Sequence, residues 1–271
     1  MFPNGVIIME NMRPEDRRAL DMAMEAGHIL LENGAEIARV EETMEKICGY
    51  YGVQTEEFFV LSNGIFTTAG HTTDKAYARV QHIPVKGTQM DKIVAVNQLS
   101  REIVAGKYDD IEAAEARLAE IRRMPSASWP KQVLASGIGS GFFCVLFGGG
   151  MPECLSAFIA GVLLYIYVLK VSSPHLSKIV GNIVGGMLVV LICLACKALL
   201  PNANLTPMIS GAIMPLVPGV AFTNGIRDIA GSDYLSGTVR LLDAILVFLS
   251  IAIGVGVMFT IYNTLTGGMM P

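Results

Sequence analysis

The distribution of charge along the chain constrains its fold more than any other feature of the sequence. Residues 131–271 carry only ten charged side chains, whereas residues 1–130 carry 34. A soluble core cannot easily hide so long an apolar stretch, and a helix of about 20 apolar residues can cross a bilayer. The sequence therefore predicts a soluble domain at residues 1–125, a linker at residues 126–132 and a membrane domain at residues 133–271.

The soluble domain is predicted to have an α+β fold. Apolar residues recur at helical spacing over residues 17–51, with Asn33-Gly34 as the break between two amphipathic helices. Residues 53–85 are rich in aromatic and β-branched residues and contain an Asn-Gly turn signal, which indicates a small antiparallel sheet. Because helical spacing returns over residues 90–124, we expect the sheet to be flanked by helices in the sequence.

The membrane domain is predicted to be all-α, with five transmembrane helices. Its five apolar segments contain almost no charged residues, whereas helices of a soluble core carry charged faces. The segments are residues 133–147, 154–169, 179–200, 206–222 and 241–262.

Basic residues at the ends of these segments predict the orientation of the chain. If the soluble domain lies inside, one basic residue, Lys197, lies outside. The other five lie at inner ends: Lys131, Lys170, Lys178, Arg227 and Arg240. Such an excess marks the cytoplasmic side of a membrane. We therefore expect a protein of the cytoplasmic membrane with its N-terminal domain in the cytoplasm and, after an odd number of spans, its C-terminus outside.

The sequence argues against nucleic acid and metals as ligands. A net charge of −4 offers no surface that neutralises phosphates. The cysteines, five in number, do not suggest a disulfide framework, and Cys193 and Cys196 lack two further zinc ligands nearby in the sequence, so we interpret them as small buried residues. His71, Asp74 and His82 are interpreted as exposed turn residues. We predict neither a cofactor nor a metal.

The most informative segment is residues 215–243, where an apolar helix is interrupted. Pro215, Pro218 and Gly219 are predicted to break it, because proline removes a backbone donor and leaves carbonyl groups without partners. In lipid such groups must face protein or a wet cavity. Broken helices of this kind form the binding sites of many transporters.

Arg227 is the residue that we predict to bind a substrate carboxylate, because its planar guanidinium can form two parallel hydrogen bonds with one. The other predicted substrate-binding residues are Asp228, Thr223, Asn224, Asn182 and Gly219. Alternatively, Arg227 and Asp228 only mark the membrane surface, and Asn182 only joins two helices through a hydrogen bond.

Asp243 lies a few residues inside an apolar segment, where a carboxylate is costly unless it is paired or hydrated. Such a setting favours the protonated carboxyl group, so we predict that Asp243 or Asp228 carries a coupling proton. The alternative is an interfacial ion pair between Arg240 and Asp243.

Charged residues also crowd the junction of the first two predicted helices. Glu36, Arg39 and Glu41 form a candidate gate or docking surface, in which Arg39 pairs with an acidic neighbour. The alternative is a solvated charged face without a further role.

Two motifs in this order resemble those of the threonine/serine exporter family. The first is the helix-junction motif at residues 31–36 (LENGAE), followed by residues 39–41 (RVE). The second is Pro218-Gly219, followed by Arg227-Asp228, Gly237 and Arg240. A cytoplasmic domain followed by five spans is the order of that family, so the resemblance covers essentially the whole chain.

The resemblance implies export of small hydroxy amino acids such as threonine and serine or, in the split two-subunit form, of dicarboxylates such as succinate. The chain contains one membrane half, so it resembles the longer, YjjP-type subunit, and this implies a shorter YjjB-type membrane subunit as partner. The family motif often has serine where Asn33 stands here, which leaves the choice of substrate open.

We therefore expect an exporter subunit that works by secondary transport and alternating access, and not an enzyme. Five spans would place a second, similar half upside down in the bilayer, which is typical of transporters built from inverted repeats. The alternative is a membrane-anchored enzyme or a scaffold whose cytoplasmic domain carries the activity. That domain shows no nucleophile with a matching base and no phosphate-binding loop.

Overall fold

The computed structural model describes residues 14–53, 55–69, 77–84, 87–172 and 176–267. Contacts between Cα atoms divide the chain into two compact units. The first comprises Met1–Ser126 and Val220–Leu241, and the second comprises Ala127–Gly219 and Leu242–Pro271. Residues 220–241, which the sequence analysis assigns to the membrane domain, are therefore part of the first unit.

The N-terminal part of the first unit has the element order α-α-β-β-β-α-α in the described residues. The elements are α1 (Pro14–Glu32), α2 (Ile37–Tyr50), β1 (Thr55–Leu61), β2 (Gly64–Ala69), β3 (Tyr77–His82), α3 (Met90–Val104) and α4 (Ile111–Arg123). The strands form an antiparallel sheet in the order β1-β2-β3. Apolar residues of α1 and α2 at helical spacing are buried together with Val60 and Ile65, which alternate with exposed residues on the strands.

The break between α1 and α2 is a Schellman motif at Asn33-Gly34. Gly34 has a φ of +82°, a left-handed conformation that favours glycine. Its amide donates to the carbonyl of Leu31, and the amide of Ala35 donates to the carbonyl of Leu30, both at 3.0 Å. The chain turns sharply here, so the carbonyl groups of Gly34 and Ala35 lie outside both helices and are available to other partners.

The second unit begins with α5 (Trp129–Leu146) and α6 (Met151–Tyr167), which continues as a π-helix at Val168–Ser172. It goes on with α7 (Lys178–Leu199), α8 (Leu205–Ala212) and a 3-10 helix at Met214–Leu216. Small residues bring these helices close together. A Cβ atom on Gly211, for example, would lie 2.6 Å from the carbonyl oxygen of Ser140.

Two further helices, α9 (Gly219–Ala230) and α10 (Tyr234–Thr266), form a hairpin in the first unit through residues 220–241. Asp233 caps α10, because its carboxylate accepts a hydrogen bond of 3.1 Å from the amide of Ser236. The helices cross closely at Gly225 and Gly237, where a Cβ atom on Gly237 would lie 2.8 Å from the carbonyl oxygen of Gly225.

Three helices are long and apolar enough to cross a membrane within the described ranges: Met151–Ser172, Lys178–Leu199 and Tyr234–Thr266. A bent pair, Leu205–Leu216 with Gly219–Ala230, is a fourth candidate if it counts as one span. The segment at residues 133–147 is helical as part of α5 but is not among these candidates, because polar residues occupy the first turn of that helix. The structure thus supports three or four of the five predicted spans.

We expect Gly237→Ala to destabilise the protein by about 1–3 kcal/mol, because the added methyl group would meet backbone atoms that cannot move aside independently. The new Cβ would also lie 2.6 Å from Cγ1 of Ile229. Thermal unfolding in detergent micelles measures the effect. Gly256→Ala, on the same helix, is the matched control, since a Cβ there meets nothing within 4 Å. Equal unfolding temperatures for the two variants would contradict the close helix crossing.

Candidate functional site

The two motifs singled out in the sequence meet within the first unit. We call the site the junction cluster and define it by the side chains of Glu36, Asn224, Arg227, Asp228 and Arg240 and the carbonyl groups of Gly34 and Ala35. The Schellman motif positions the carbonyl groups, and the α9–α10 hairpin supplies the side chains that bind them. The cluster joins residues about 190 positions apart in the chain.

A buried ion pair forms the centre of the cluster. Nη1 of Arg240 lies 2.9 Å from Oδ2 of Asp228, and the exposed fractions of the two side chains are 10% and 0%. The other carboxylate oxygen of Asp228 accepts a hydrogen bond of 3.4 Å from the amide of Ile37, the first residue of α2. Glu36, the N-cap residue, makes no such bond with its own side chain. Asp228 therefore caps α2 from another helix and places a negative charge at its positive end.

Side chains of the hairpin also bind the two carbonyl groups that the Schellman motif leaves available. Nη2 of Arg240 donates to the carbonyl oxygen of Ala35, and Nδ2 of Asn224 donates to that of Gly34, both at 2.9 Å. The two terminal nitrogens of Arg240 thus bind different acceptors. Nη1 binds the carboxylate of Asp228, and Nη2 binds the carbonyl group of Ala35. These bonds fix the hairpin against the α1–α2 junction.

The pair formed by Arg227 and Glu36 is different, because it reaches solvent. Nη1 of Arg227 lies 2.9 Å from Oε2 of Glu36, and the exposed fraction of the arginine side chain is 56%. The exposed fraction of the Glu36 side chain is 19%, so only the arginine side of the pair lies in solvent. Solvent weakens such a pair relative to the buried pair of Asp228 and Arg240.

The remaining residues of the predicted gate lie along α2. Arg39 is exposed, and Glu36, an acidic residue of the predicted surface, is bound by Arg227. Glu41 is half-buried and accepts a hydrogen bond of 3.3 Å from the amide of Val60 on β1. Burial raises the pKa of Glu41, and the nearby charges of Asp233, Glu45 and Asp228 act in the same direction, whereas the bond from Val60 opposes them.

Other predicted site residues lie apart from these bonds. Thr223 is exposed on α9, one turn before Arg227. In the second unit, Asn182 is half-buried on α7, and Asp243 forms an exposed ion pair with Lys178 at 2.5 Å. The partner of Arg240 is Asp228 and not Asp243, the alternative that the spacing of three residues suggested.

The structure locates the predicted helix break between α8 and α9. Pro215 lies in the 3-10 helix at Met214–Leu216, Pro218 precedes the next helix, and α9 begins at Gly219. The amide of Gly219 donates to the carbonyl of Val217 at 2.9 Å, so one carbonyl at the break is bound locally.

The described residues do not form a cluster of metal ligands. No group of three or more histidine, cysteine, aspartate or glutamate side chains in those residues is arranged to hold a metal ion. Cys193 is buried and Cys196 is half-buried on α7. His71 and Asp74 lie outside the described residues.

Comparison with known proteins identifies the class to which this chain belongs. Residues 21–262 match the family described as "Putative threonine/serine exporter". The chain therefore belongs to the threonine/serine exporter family, and with its apolar helices it is a multi-pass membrane protein of a transporter family.

Two relatives are similar over nearly their whole length. The "Probable succinate transporter subunit YjjP" of Klebsiella aerogenes is 25% identical over 265 residues, which cover 94% of this chain and 98% of the relative. The protein of the same name from Escherichia coli strain K12 is 25% identical over 266 residues, with 93% and 98% covered. No solved structure matches the chain.

The buried pair can be tested by a double-mutant cycle. Asp228→Asn and Arg240→Gln should each destabilise the protein by about 3–5 kcal/mol, because each leaves a buried charge without its counterion. The double variant should lose less than the sum of the two, which unfolding in detergent would measure. Arg227→Ala, on the same helix as Asp228, is the control. It should lower the free energy of unfolding by no more than about 1 kcal/mol. Additive losses would show that the two buried groups do not interact.

Glu41 predicts a pH dependence of stability. Its pKa is raised in the folded protein, so the ionised carboxylate destabilises the fold, and stability falls as the pH rises from the ordinary pKa of 4.5 through the raised one. Glu41→Gln removes this charge and can still accept the bond from Val60. The variant should match the wild type at pH 4 and be more stable at pH 8 in thermal unfolding. A constant difference across this range would exclude the effect.

Proposed function

We propose that this chain is one subunit of an exporter that moves small carboxylates out of the cytoplasm by alternating access. The candidate substrates are threonine, serine and dicarboxylates such as succinate. Membership of the exporter family supports transport, and the names of the two relatives favour a dicarboxylate and a transporter with more than one subunit. The proposal includes a shorter YjjB-type membrane subunit as partner.

The observation that carries the proposal is the contrast between the two arginines of the junction cluster. Arg240 is buried and engaged with Asp228 and Ala35, whereas Arg227 is half-exposed and, among the described residues, pairs with Glu36. A substrate carboxylate can replace Glu36 on Arg227 while the buried bonds keep α9 in place. Exchange of one carboxylate for another keeps a charged partner on Arg227 and lets the site bind and release its ligand.

Thr223 completes this binding surface in the proposal. It precedes Arg227 by four residues on α9, so the two side chains lie on the same face of the helix. The hydroxyl group of Thr223 can donate to a carboxylate or bind the hydroxyl group of a substrate amino acid. Asn224 contributes indirectly, because its amide holds the carbonyl of Gly34. Asn182 and Gly219 are proposed to lie on the transport path.

The coupling proton is assigned to Asp228 or Asp243 in the proposal. Asp243 is the more accessible group, since half of its side chain is exposed beside Lys178. Proton uptake at Asp228 would remove its ion pair with Arg240, whereas its other carboxyl oxygen could still accept from the amide of Ile37. Protonation would therefore loosen the hairpin side of the junction cluster.

The proposed topology explains the need for a second subunit. With an N-terminal domain in the cytoplasm and five spans, the C-terminus lies outside, and a similar partner half would insert with inverted orientation. Two inverted halves provide the pseudo-symmetric framework on which alternating access depends in many secondary transporters. One half alone lacks that framework.

Counterflow of labelled threonine, serine and succinate into vesicles that contain this chain and its shorter partner tests the function. Arg227→Lys should raise the concentration for half-maximal flux about tenfold, because lysine keeps the charge but loses the bidentate geometry. Arg117→Lys, an exposed arginine of α4 paired with Glu120, is the matched control and should leave flux unchanged.

Three outcomes would contradict the proposal. Unchanged flux kinetics in Arg227→Lys, with normal amounts of protein in the membrane, would remove Arg227 from the substrate site. Full transport by this chain without a second subunit would refute the two-subunit exporter. Absence of flux with every solute, in vesicles that contain both subunits, would argue for a scaffold instead.

A further inference from the structure

A groove in the second unit provides a cavity of about 490 Å³, which is within the range of small-molecule sites. Its walls come from one face of α5, from Tyr165 of α6 and from Met214 and Pro215 in the 3-10 helix. None of these residues takes part in the junction cluster, so the groove is a separate feature of the molecule.

The groove is polar at one end and mainly apolar along the rest of its length, where the hydroxyl of Ser136 donates to the carbonyl of Gly161. Lys131 and Gln132 line it in the first turn of α5, where the hydroxyl of Tyr165 donates to Oε1 of Gln132 at 3.3 Å. Gly139 and Phe143 continue the lining at four-residue spacing on the same helix face. From Gln132 to Phe143 the helix rises about 16 Å, roughly half of the hydrocarbon thickness of a bilayer.

The polar end has the features of a membrane–water interface. Two residues before Lys131, the exposed indole of Trp129 lies 5.7 Å from Nζ of Lys170, measured to a ring centroid. Aromatic rings and lysines concentrate at the level of lipid headgroups. Among the described residues, no carboxylate lies within ion-pair distance of the ammonium group of Lys131, so this cation can bind an external anion.

We propose that this groove binds an anionic phospholipid, with the phosphate at Lys131 and one acyl chain along Gly139 and Phe143. The phosphate and the ammonium group have opposite charges, and the apolar floor matches a hydrocarbon chain in both character and depth. A small dicarboxylate fits less well, because the groove offers one cation and its apolar floor cannot satisfy a second carboxylate. The site does not depend on which solute the protein exports.

The purified full-length chain in a neutral detergent provides the test. Addition of phosphatidylglycerol should raise the apparent unfolding temperature several degrees more than addition of phosphatidylcholine, and native mass spectrometry should show retained phosphatidylglycerol. Lys131→Gln should abolish most of this difference between the lipids, whereas Lys131→Arg should keep it. Gly139→Leu should weaken binding of both lipids, because a Cβ at this position meets nothing within 4 Å and the longer side chain would fill the groove.

Two controls separate the groove from general effects of charge and size. Lys178→Gln removes another lysine of the second unit, and Gly256→Leu adds the same bulk at another open glycine, so both should keep the preference for phosphatidylglycerol. Equal stabilisation of the wild type by both lipids would overturn the proposal, as would a preference that survives Lys131→Gln and Gly139→Leu. Stabilisation by succinate that depends on Lys131, without any by phosphatidylglycerol, would make the groove a solute site and also overturn it.

Discussion

The buried ion pair between Asp228 and Arg240 is the interaction on which the first unit depends. A charge removed from water costs several kcal/mol unless partners satisfy it, and here each charge has two. Asp228 binds Arg240 and the amide at the start of α2, and Arg240 binds Asp228 and the carbonyl of Ala35. Because every bond of this set involves the α1–α2 junction or the α9–α10 hairpin, the pair fixes both in one arrangement.

Burial separates the roles of two chemically identical side chains. Arg240 is nearly inaccessible and its bonds are complete, so its contribution is to position α10. Arg227, thirteen residues earlier, extends from the same hairpin into solvent and holds Glu36 through a pair that is open to solvent on the arginine side. Residue type alone would assign the two arginines the same role. Their different burial gives Arg240 a structural role and leaves Arg227 accessible to solvent.

The sequence predicts local features of the fold well. Helical spacing of apolar residues marks α1 and α2, Asn33-Gly34 marks the turn between them, and aromatic and β-branched residues mark the sheet. Family membership follows from two short motifs, and it is confirmed over residues 21–262. The number of spans was harder to predict, because α5 begins with polar residues and the segment at 206–222 is interrupted by a 3-10 helix.

The partners of charged residues could not be predicted from spacing. Asp228 and Arg240 are twelve residues apart and meet only because the chain reverses between α9 and α10. The signal in the sequence was indirect: Gly225 and Gly237 flank a Gly-Ser-Asp turn, a pattern that suits a close helical hairpin with facing side chains. The periodicity of the sequence shows which residues share a face of a helix. Which charged residues pair with each other depends on the tertiary contacts between helices.

The discontinuity of the first unit has a consequence for biosynthesis. The groups that cap α2 and bind the carbonyls of Gly34 and Ala35 are encoded in residues 220–241, almost at the other end of the chain. A ribosome must therefore translate the intervening helices before the α1–α2 junction can acquire these contacts. Until then the nascent domain exposes an incomplete surface at this junction, and its maturation depends on the synthesis of the α9–α10 hairpin.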